Sequence, residues 1–184
     1  MEAYSLEWFF TLVVFILPAY IANSSALYFD PGRKGGKSTP IDLGLNFIDG
    51  KRLFGSKGLE GMVAAILAGL LTGLVIAWLG YTPLGLTFDE WFWVSLFTSI
   101  GAHVGDKIGS FVKRRMDYKS GSKFEYFDQL GFIIFALAFA VIASPKVSYF
   151  LGVDGFLMLL VLSYVVHVLA NRFAYAIGLK DVPW

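Results

Sequence analysis

The feature that most limits what this chain can fold into is a set of five apolar segments. Each is long enough to cross a bilayer, which takes roughly 20 residues. The segments are Leu6–Leu27, Met62–Leu79, Trp91–Val112, Phe127–Ala143 and Phe156–Ile177. In hydrocarbon a segment must satisfy its own backbone polar groups, so each is predicted to be an α-helix. We therefore expect an all-α integral membrane protein with five transmembrane helices, forming one membrane-embedded domain over residues 1–184.

The composition agrees with a membrane protein. Apolar residues make up 57% of the chain and charged residues 16%, well below the quarter that is usual for soluble domains. Cysteine is absent, which excludes disulfides and thiolate metal sites. The first segment lacks a basic start and a small-residue cleavage site, so we expect a retained span and not a signal peptide.

The connections between the segments alternate in charge. Phe29–Glu60 and Lys113–Tyr126 are rich in Lys and Arg, whereas Gly80–Glu90 has no cation and Ser144–Asp154 has only Lys146. By the positive-inside rule, the two basic loops and the C-terminus are cytoplasmic and the N-terminus is outside. The predicted location is the cell membrane, with several spans and with any site on the basic loops facing the cytoplasm.

A polar stripe ends the third segment. Asp106, Ser110 and Lys113 follow one another at i, i+4 and i+7, so they share one helix face. Asp128 opens the fourth segment after a short loop, which returns it to the same side of the membrane. An acid within an apolar span is a functional hypothesis by default, and two acids beside Lys and Arg suit Mg²⁺ bound together with phosphates.

Two structural alternatives remain for these residues. Lys113, Arg114 and Arg115 could serve only as a positive-inside anchor, which is common at the end of a span. Asp106 could form only an internal ion pair with Lys107 or Lys113.

The first basic loop is the second candidate. Residues 38–61 are rich in glycine and hold interleaved charges at Asp42, Asp49, Lys51, Arg52 and Lys57. A glycine-rich backbone with lysines can cradle phosphates, although the spacing of a P-loop is absent. The alternative is a flexible, solvated loop.

Other polar residues give weaker signals. Ser163, His167 and Asn171 share a face of the fifth segment, and Asn23 lies in the first; hydrogen bonding between helices is the commoner explanation for such residues. Nucleic-acid binding is not expected, because the basic loops are short, balanced by acids and attached to the membrane.

Four fragments, in order along the chain, together resemble one known family. They read LPAYIANSSALYF, TPIDLGLNFIDGKRLFGSKGLEG, GDKIGSFVKRR…DQLGF and HVLANRFAYAIGLKDVPW, and they resemble the CDP-archaeol synthases, archaeal relatives of the CTP:phosphatidate cytidylyltransferases. The resemblance implies a Mg²⁺-dependent enzyme of archaeal phospholipid synthesis. Its substrates would be CTP and 2,3-bis-O-geranylgeranylglycerol 1-phosphate, and its products a CDP-archaeol-type lipid and pyrophosphate.

The resemblance also implies residue roles. Asp106 and Asp128 would bind the metal and act in catalysis with Lys113, Arg114 and Arg115, which would face phosphates. The substrate-binding candidates are Asn23, Asp42, Asp49, Lys51, Arg52, Lys57, Ser110 and Gln129. Two positions depart from the family pattern: Gly58 stands where Thr is frequent, and Gly131 stands where an acid is frequent.

Two other classes of function remain to be separated from this one. A transporter or channel for a phosphorylated solute would also need polar residues within spans, although no inverted repeat is visible. A protein that only binds anionic lipid headgroups would need neither CTP nor Asp106. The sequence leaves the oligomeric state open.

Overall fold

The computed structural model describes residues 5–54, 58–118, 127–178 and 183. It contains five α-helices: α1 Leu6–Phe29, α2 Leu59–Trp78, α3 Phe88–Arg115, α4 Phe127–Ala143 and α5 Lys146–Ala176. Short 3₁₀ turns lie at Pro31–Lys34 and Pro83–Gly85. The prediction of an all-α fold is confirmed, and the helices fall on the five apolar segments.

Three of these helices, α1, α2 and α5, are long and apolar enough to cross a membrane. Helix α4 is apolar but has only 17 residues, and α3, at 28 residues, carries more charge in its C-terminal half. The prediction that the chain is a membrane protein is thus supported. The number of spans and their orientation stay predictions.

Helices α3 and α5 begin earlier than the apolar pattern predicts. Thr87 and Glu90 form a capping box at the start of α3, which satisfies backbone donors that the helix leaves open. Helix α5 starts at Lys146 and contains a break at Gly152, where φ is 55°; only glycine adopts this conformation without strain. The segment predicted as a connection is therefore largely helical.

An ion pair joins the starts of α3 and α5. Lys146 Nζ lies 2.8 Å from Glu90 Oε1, at the end of the bundle opposite to the first basic loop. The Lys146 ammonium and the Thr87 backbone N–H hold the pKa of Glu90 below its ordinary value. The contact links two helices that are distant in sequence.

Small residues let α2 approach its neighbours closely. Its buried residues are Gly61, Ala65, Gly69 and Gly73, one on each successive turn. A Cβ on Gly69 would stand 2.6 Å from the Pro18 carbonyl oxygen of α1, and Trp91 of α3 donates a 2.8 Å hydrogen bond to the Gly73 carbonyl. Gly69 and Gly73 thus allow α2 to pack closely against α1 and α3.

The seam between α3 and α4 is also built on glycines. A Cβ on Gly101 would stand 2.9 Å from the carbonyl carbon of Phe135, and one on Gly105 would stand 2.8 Å from that of Gly131. One turn further along α3, a Cβ on Gly109 would meet nothing within 4 Å. The two backbones are therefore in contact at Gly101 and Gly105 and leave open space beside Gly109.

The outer surface of the bundle is apolar, as expected for helices that face lipid. The core lies among α1, α3 and α4, around Leu12, Phe15, Trp91 and Ile133. In the most apolar 18-residue stretch of α1, 44% of the residues are buried, whereas in that of α5 only 17% are buried. Helix α5 packs chiefly on α4, so most of its surface is left for the membrane.

Candidate active site

A cleft opens at the end of the bundle that carries the first basic loop. Its empty volume is about 320 Å³. Helices α1, α3 and α5 contribute residues from their C-terminal halves, and α4 contributes residues from its start. The lining residues are Asn23, Asp106, Gly109, Asp128, Phe132 and His167. The space beside Gly109 is thus part of this cleft.

The structure brings the two predicted acids together on one wall. Asp106 of α3 and Asp128 of α4 both line the cleft, because the glycine seam holds their helices in backbone contact one residue before Asp106 and three residues after Asp128. The side chain of Asp106 is 28% exposed and that of Asp128 is 30% exposed. Both carboxylates are therefore accessible from the cleft.

Each acid is paired with a lysine. Lys107 Nζ lies 3.0 Å from Asp106 Oδ2, and Lys113 Nζ lies 2.8 Å from Asp128 Oδ1. Lys107 is buried, which is rare for a lysine and costly without a charged partner. The ion pair that the sequence offered as an alternative explanation of Asp106 is present, and Asp106 faces the cleft as well.

The donor set fits a magnesium ion that is shared with a substrate. Across residues 5–54, 58–118, 127–178 and 183, no group of three or more His, Cys, Asp or Glu side chains could hold a metal. Mg²⁺ is usually bound by one or two carboxylates together with phosphate oxygens and water. Two carboxylates in one cleft match that mode of binding and not an all-protein cage.

The opposite wall of the cleft comes from α1 and α5. The Tyr20 hydroxyl and Ser163 Oγ lie 2.8 Å apart, which joins the two helices. Asn23 follows Tyr20 by three residues and His167 follows Ser163 by four, so each lies one turn nearer the cleft. Of the weaker polar set in the sequence, Ser163 makes the expected bond between helices, whereas His167 lines the cleft; Asn171 is half-buried beyond it.

The aromatic ring of Phe132 also lines the cleft and contacts residues of the opposite wall. The Phe132 ring lies 5.9 Å from the Tyr20 ring and 6.1 Å from the His167 ring, measured between centroids. Phe132 therefore contacts a ring from each helix of the opposite wall, Tyr20 of α1 and His167 of α5.

The first basic loop is ordered by a buried acid. Asp42 pairs with Arg52 and accepts hydrogen bonds from the backbone N–H groups of Gly44 and Phe54, both at 3.1 Å. These contacts join residues from both halves of the loop. Asp42, predicted to bind substrate, is thus used to hold the loop together.

The same loop is docked on the C-terminal end of α3. Arg114 donates to the Phe54 carbonyl at 3.0 Å, and Arg115 donates to the Arg52 carbonyl at 3.3 Å. The Arg115 guanidinium also stacks on Phe47 and Phe111, 4.6 and 4.1 Å from their ring centroids. These two arginines, predicted to face phosphates, bind the loop backbone.

Acidic partners complete this docking. Arg115 Nε lies 3.1 Å from Asp49 Oδ2, at ion-pair distance without the alignment of a hydrogen bond. Lys51 pairs with Asp117, just beyond α3. The docked loop lies beside the cleft and is not part of its lining in the region that the structure describes; Lys57 lies outside the described residues.

Two further candidates lie near the acids without lining the cleft. Ser110 is half-buried on α3. Gln129 is only 4% exposed, and its Oε1 has no hydrogen-bond partner in the described part of the chain. A buried acceptor without a donor is unusual, so Gln129 keeps its place as a candidate for contact with a ligand.

The two departures from the family pattern have different structural settings. A Cβ on Gly58 would overlap the Ser38 hydroxyl and stand 2.7 Å from Asp30 Oδ1. The Ser38 hydroxyl thus occupies the position of a side chain at residue 58. At Gly131 a Cβ would meet only the Gly105 carbonyl oxygen, at 3.6 Å, which is ordinary van der Waals contact, so a Cβ at this position would fit without a clash.

The sequence did not single out two residues of the cleft, Gly109 and Phe132. It offered Lys107 only as an ion-pair partner of Asp106, and His167 only within the weaker polar set of the fifth segment. A signal for Gly109 exists, since it continues the spacing of Gly101 and Gly105 by four residues. Whether an apolar Phe132 or a polar His167 faces a cleft depends on helix rotation, which the sequence alone does not give.

Comparison with known proteins identifies close relatives over almost the whole chain. Residues 5–184 match the family described as CarS-like: CDP-archaeol synthase. The CDP-archaeol synthase of Methanocaldococcus jannaschii is 38% identical over 183 residues, covering 95% of this chain and 97% of that protein. The one from Methanococcus aeolicus is 41% identical, covering 93% and 94%.

A solved structure is also similar. It belongs to an intramembrane enzyme for archaeal membrane lipids biosynthesis and matches with a TM-score of 0.67 and 30% sequence identity. The match covers 86% of this chain and 91% of that one.

Proposed function

The chain belongs to the CDP-archaeol synthase family, and we propose from this premise how its cleft transfers a cytidylyl group. The protein is a CTP-dependent cytidylyltransferase of archaeal lipid synthesis. Its acceptor is an isoprenoid glycerophosphate, 2,3-bis-O-geranylgeranylglycerol 1-phosphate, and its products are a CDP-archaeol-type lipid and pyrophosphate. The observation that carries the proposed mechanism is that Asp106 and Asp128 line one cleft beside two lysines.

The reaction sets an electrostatic requirement. An oxygen of the lipid phosphate attacks the α-phosphorus of CTP, and the bond from that phosphorus to pyrophosphate breaks. A phosphate monoester is nucleophilic at neutral pH, so no dedicated base is needed. Both reactants are anionic, and catalysis therefore consists mainly of positioning them and neutralising their charge.

Asp106 and Asp128 hold the magnesium ion in this proposal. When bound, Mg²⁺ neutralises the phosphates of CTP and stabilises the leaving pyrophosphate. Lys113 pairs with Asp128 before the substrate binds and contacts a phosphate oxygen once the carboxylate has another partner. Lys107 pairs with Asp106 in the same way and offsets its charge until the metal binds.

The first loop supplies the nucleotide side of the site. Arg114 and Arg115 hold it against α3, which keeps the cations Lys51 and Arg52 at the end of the bundle where the cleft opens. We propose that these two side chains, with Lys57, attract CTP to the site, while Asp42 and Asp49 act by keeping the loop in shape. Gln129 and Ser110 complete the substrate contacts near the acids.

The membrane arrangement follows the sequence prediction. We propose a single domain with five transmembrane helices, an outside N-terminus and an inside C-terminus. Both basic loops then lie in the cytoplasm of the cell, where CTP is available, and the isoprenoid chains stay in the bilayer.

The test is incorporation of radiolabelled CTP into lipid by detergent-solubilised protein. We expect Asp106→Asn and Asp128→Asn each to lower the rate about a hundredfold or more. Asp154→Asn, at an exposed position of α5, is the matched control and should retain the wild-type rate. Full activity of both cleft variants would refute the assignment of the metal-binding acids.

The same assay separates the rival functions. A transporter needs a sealed vesicle and a gradient, whereas the enzyme releases pyrophosphate in detergent. A protein that only binds lipid headgroups would release none under any condition.

A further inference from the structure

The two walls of the cleft differ in charge. The α3–α4 wall carries both carboxylates, Asp106 and Asp128. The α1–α5 wall carries Asn23 and His167, which present N–H donors and no fixed negative charge. A phosphate that approaches the α1–α5 wall thus meets donors, whereas one at the other wall needs a metal ion or the lysine cations.

The α1–α5 wall is held in a defined register. The 2.8 Å hydrogen bond between the Tyr20 and Ser163 hydroxyls joins the two helices one turn away from Asn23 and His167. The Phe132 ring, inclined at 33° to the His167 ring, limits how the imidazole can lie. Asn23 and His167 therefore lie in defined positions on the α1–α5 wall of the cleft.

The α5 part of that wall borders the apolar outer surface of the bundle. Only 17% of the most apolar window of α5 is buried, and the residues around His167 along the helix are exposed and apolar: Val165, Val166 and Leu169. The first loop, with its cations, lies instead against the end of α3. The α5 side of the cleft is therefore bordered by exposed apolar surface, and the end of α3 by the cations of the loop.

We propose that His167, together with Asn23, binds the phosphate of the lipid acceptor. This assignment rests on the proposed cytidylyl transfer and adds which substrate each wall receives. His167 would donate to one oxygen of that phosphate and so direct another oxygen of the same phosphate toward CTP. The alternative is that His167 only packs against Phe132.

Separate kinetic constants for the two substrates decide between these roles. His167→Phe keeps an aromatic ring against Phe132 and removes the N–H donor of the imidazole. We expect it to raise the KM for the lipid phosphate roughly tenfold or more, which is the loss for one hydrogen bond to a charged group. The KM for CTP should stay within about twofold of the wild-type value. His167→Gln, which keeps a donor, should recover part of the loss.

Val153→Phe introduces the same side chain at an exposed position near the start of α5, at the end of the bundle opposite the cleft, and should change neither constant. An unchanged KM for the lipid in His167→Phe, or a rise in the KM for CTP alone, would overturn the assignment. If His167→Phe does not fold in detergent, the test is the KM of His167→Gln for the lipid phosphate. We expect a value above that of the wild type, and an unchanged value would overturn the assignment. If the wild-type protein releases no pyrophosphate, the proposed reaction is wrong. The role of His167 can then still be tested by comparing the binding of the lipid phosphate to the wild type and to His167→Phe in the absence of CTP.

Discussion

Gly105 of α3 and Gly131 of α4 meet backbone to backbone, so closely that a Cβ on Gly105 would stand 2.8 Å from the carbonyl carbon of Gly131. Asp106 follows the first glycine directly, and Asp128 precedes the second by one helical turn. The contact therefore fixes how far apart the two carboxylates lie.

Gly105→Ala should force the two helices apart. We expect a loss of about 1–3 kcal/mol in stability, as for overpacking in a filled core, and a large loss of CTP incorporation because the acids separate. Thermal unfolding in detergent and the transfer assay measure the two effects. Gly109→Ala is the matched control for stability, since its Cβ would have nothing within 4 Å; equal destabilisation by both changes would contradict the seam.

Arg115 should be required for the docking of the first loop. Its planar guanidinium stacks on two rings and donates to the Arg52 carbonyl, and lysine cannot reproduce that geometry. Arg115→Lys should speed proteolysis within residues 39–54, and Arg115→Ala should speed it further. Arg172→Lys, at an exposed position of α5, should leave the cleavage rate unchanged. Identical cleavage of all the proteins would show that other contacts hold the loop.

Lys107 should weaken metal binding before the nucleotide arrives. Its ammonium lies 3.0 Å from the Asp106 carboxylate, where it competes with a cation for the same oxygens. Lys107→Met should therefore tighten binding of Mn²⁺, used as a paramagnetic substitute for Mg²⁺, in the absence of CTP. Lys146→Met, at the far end of the bundle, should leave the affinity unchanged. Weaker binding in Lys107→Met would mean that the lysine helps to hold the acid in place for the metal.

The effects of substitutions at Ser38 and Gly58 on stability should depend on one another. Gly58→Thr alone would collide with the Ser38 hydroxyl, and we expect it to destabilise the protein although Thr is a favourable residue at the start of a helix. In a Ser38→Ala background the same change should cost less. Unfolding of the four proteins gives the coupling energy between the two sites; additive effects would show that the loop shifts to accept both side chains.

The helices were predictable because hydrophobic length is a local property. The ends of α3 and α5 were less so, since Thr87 and Glu90 extend α3 beyond its apolar run. The positions of Asp106 and Asp128 on one side of the bundle followed from helix count and loop length alone.

The partners of individual side chains could not be predicted in the same way. Arg114 and Arg115 looked like phosphate ligands, yet they contact a loop about 60 residues earlier in the chain, and no local pattern encodes such a contact. His167 and Ser163 share one face in the sequence, but only the packing of α5 on α1 and α4 separates their roles.

The peripheral position of α5 affects how the products part. A CDP-lipid formed beside that helix remains anchored by its chains and can diffuse away laterally in the leaflet, whereas pyrophosphate leaves through the aqueous opening near the first loop. In the proposed reaction the two products therefore leave by separate routes, and release of one does not have to wait for release of the other.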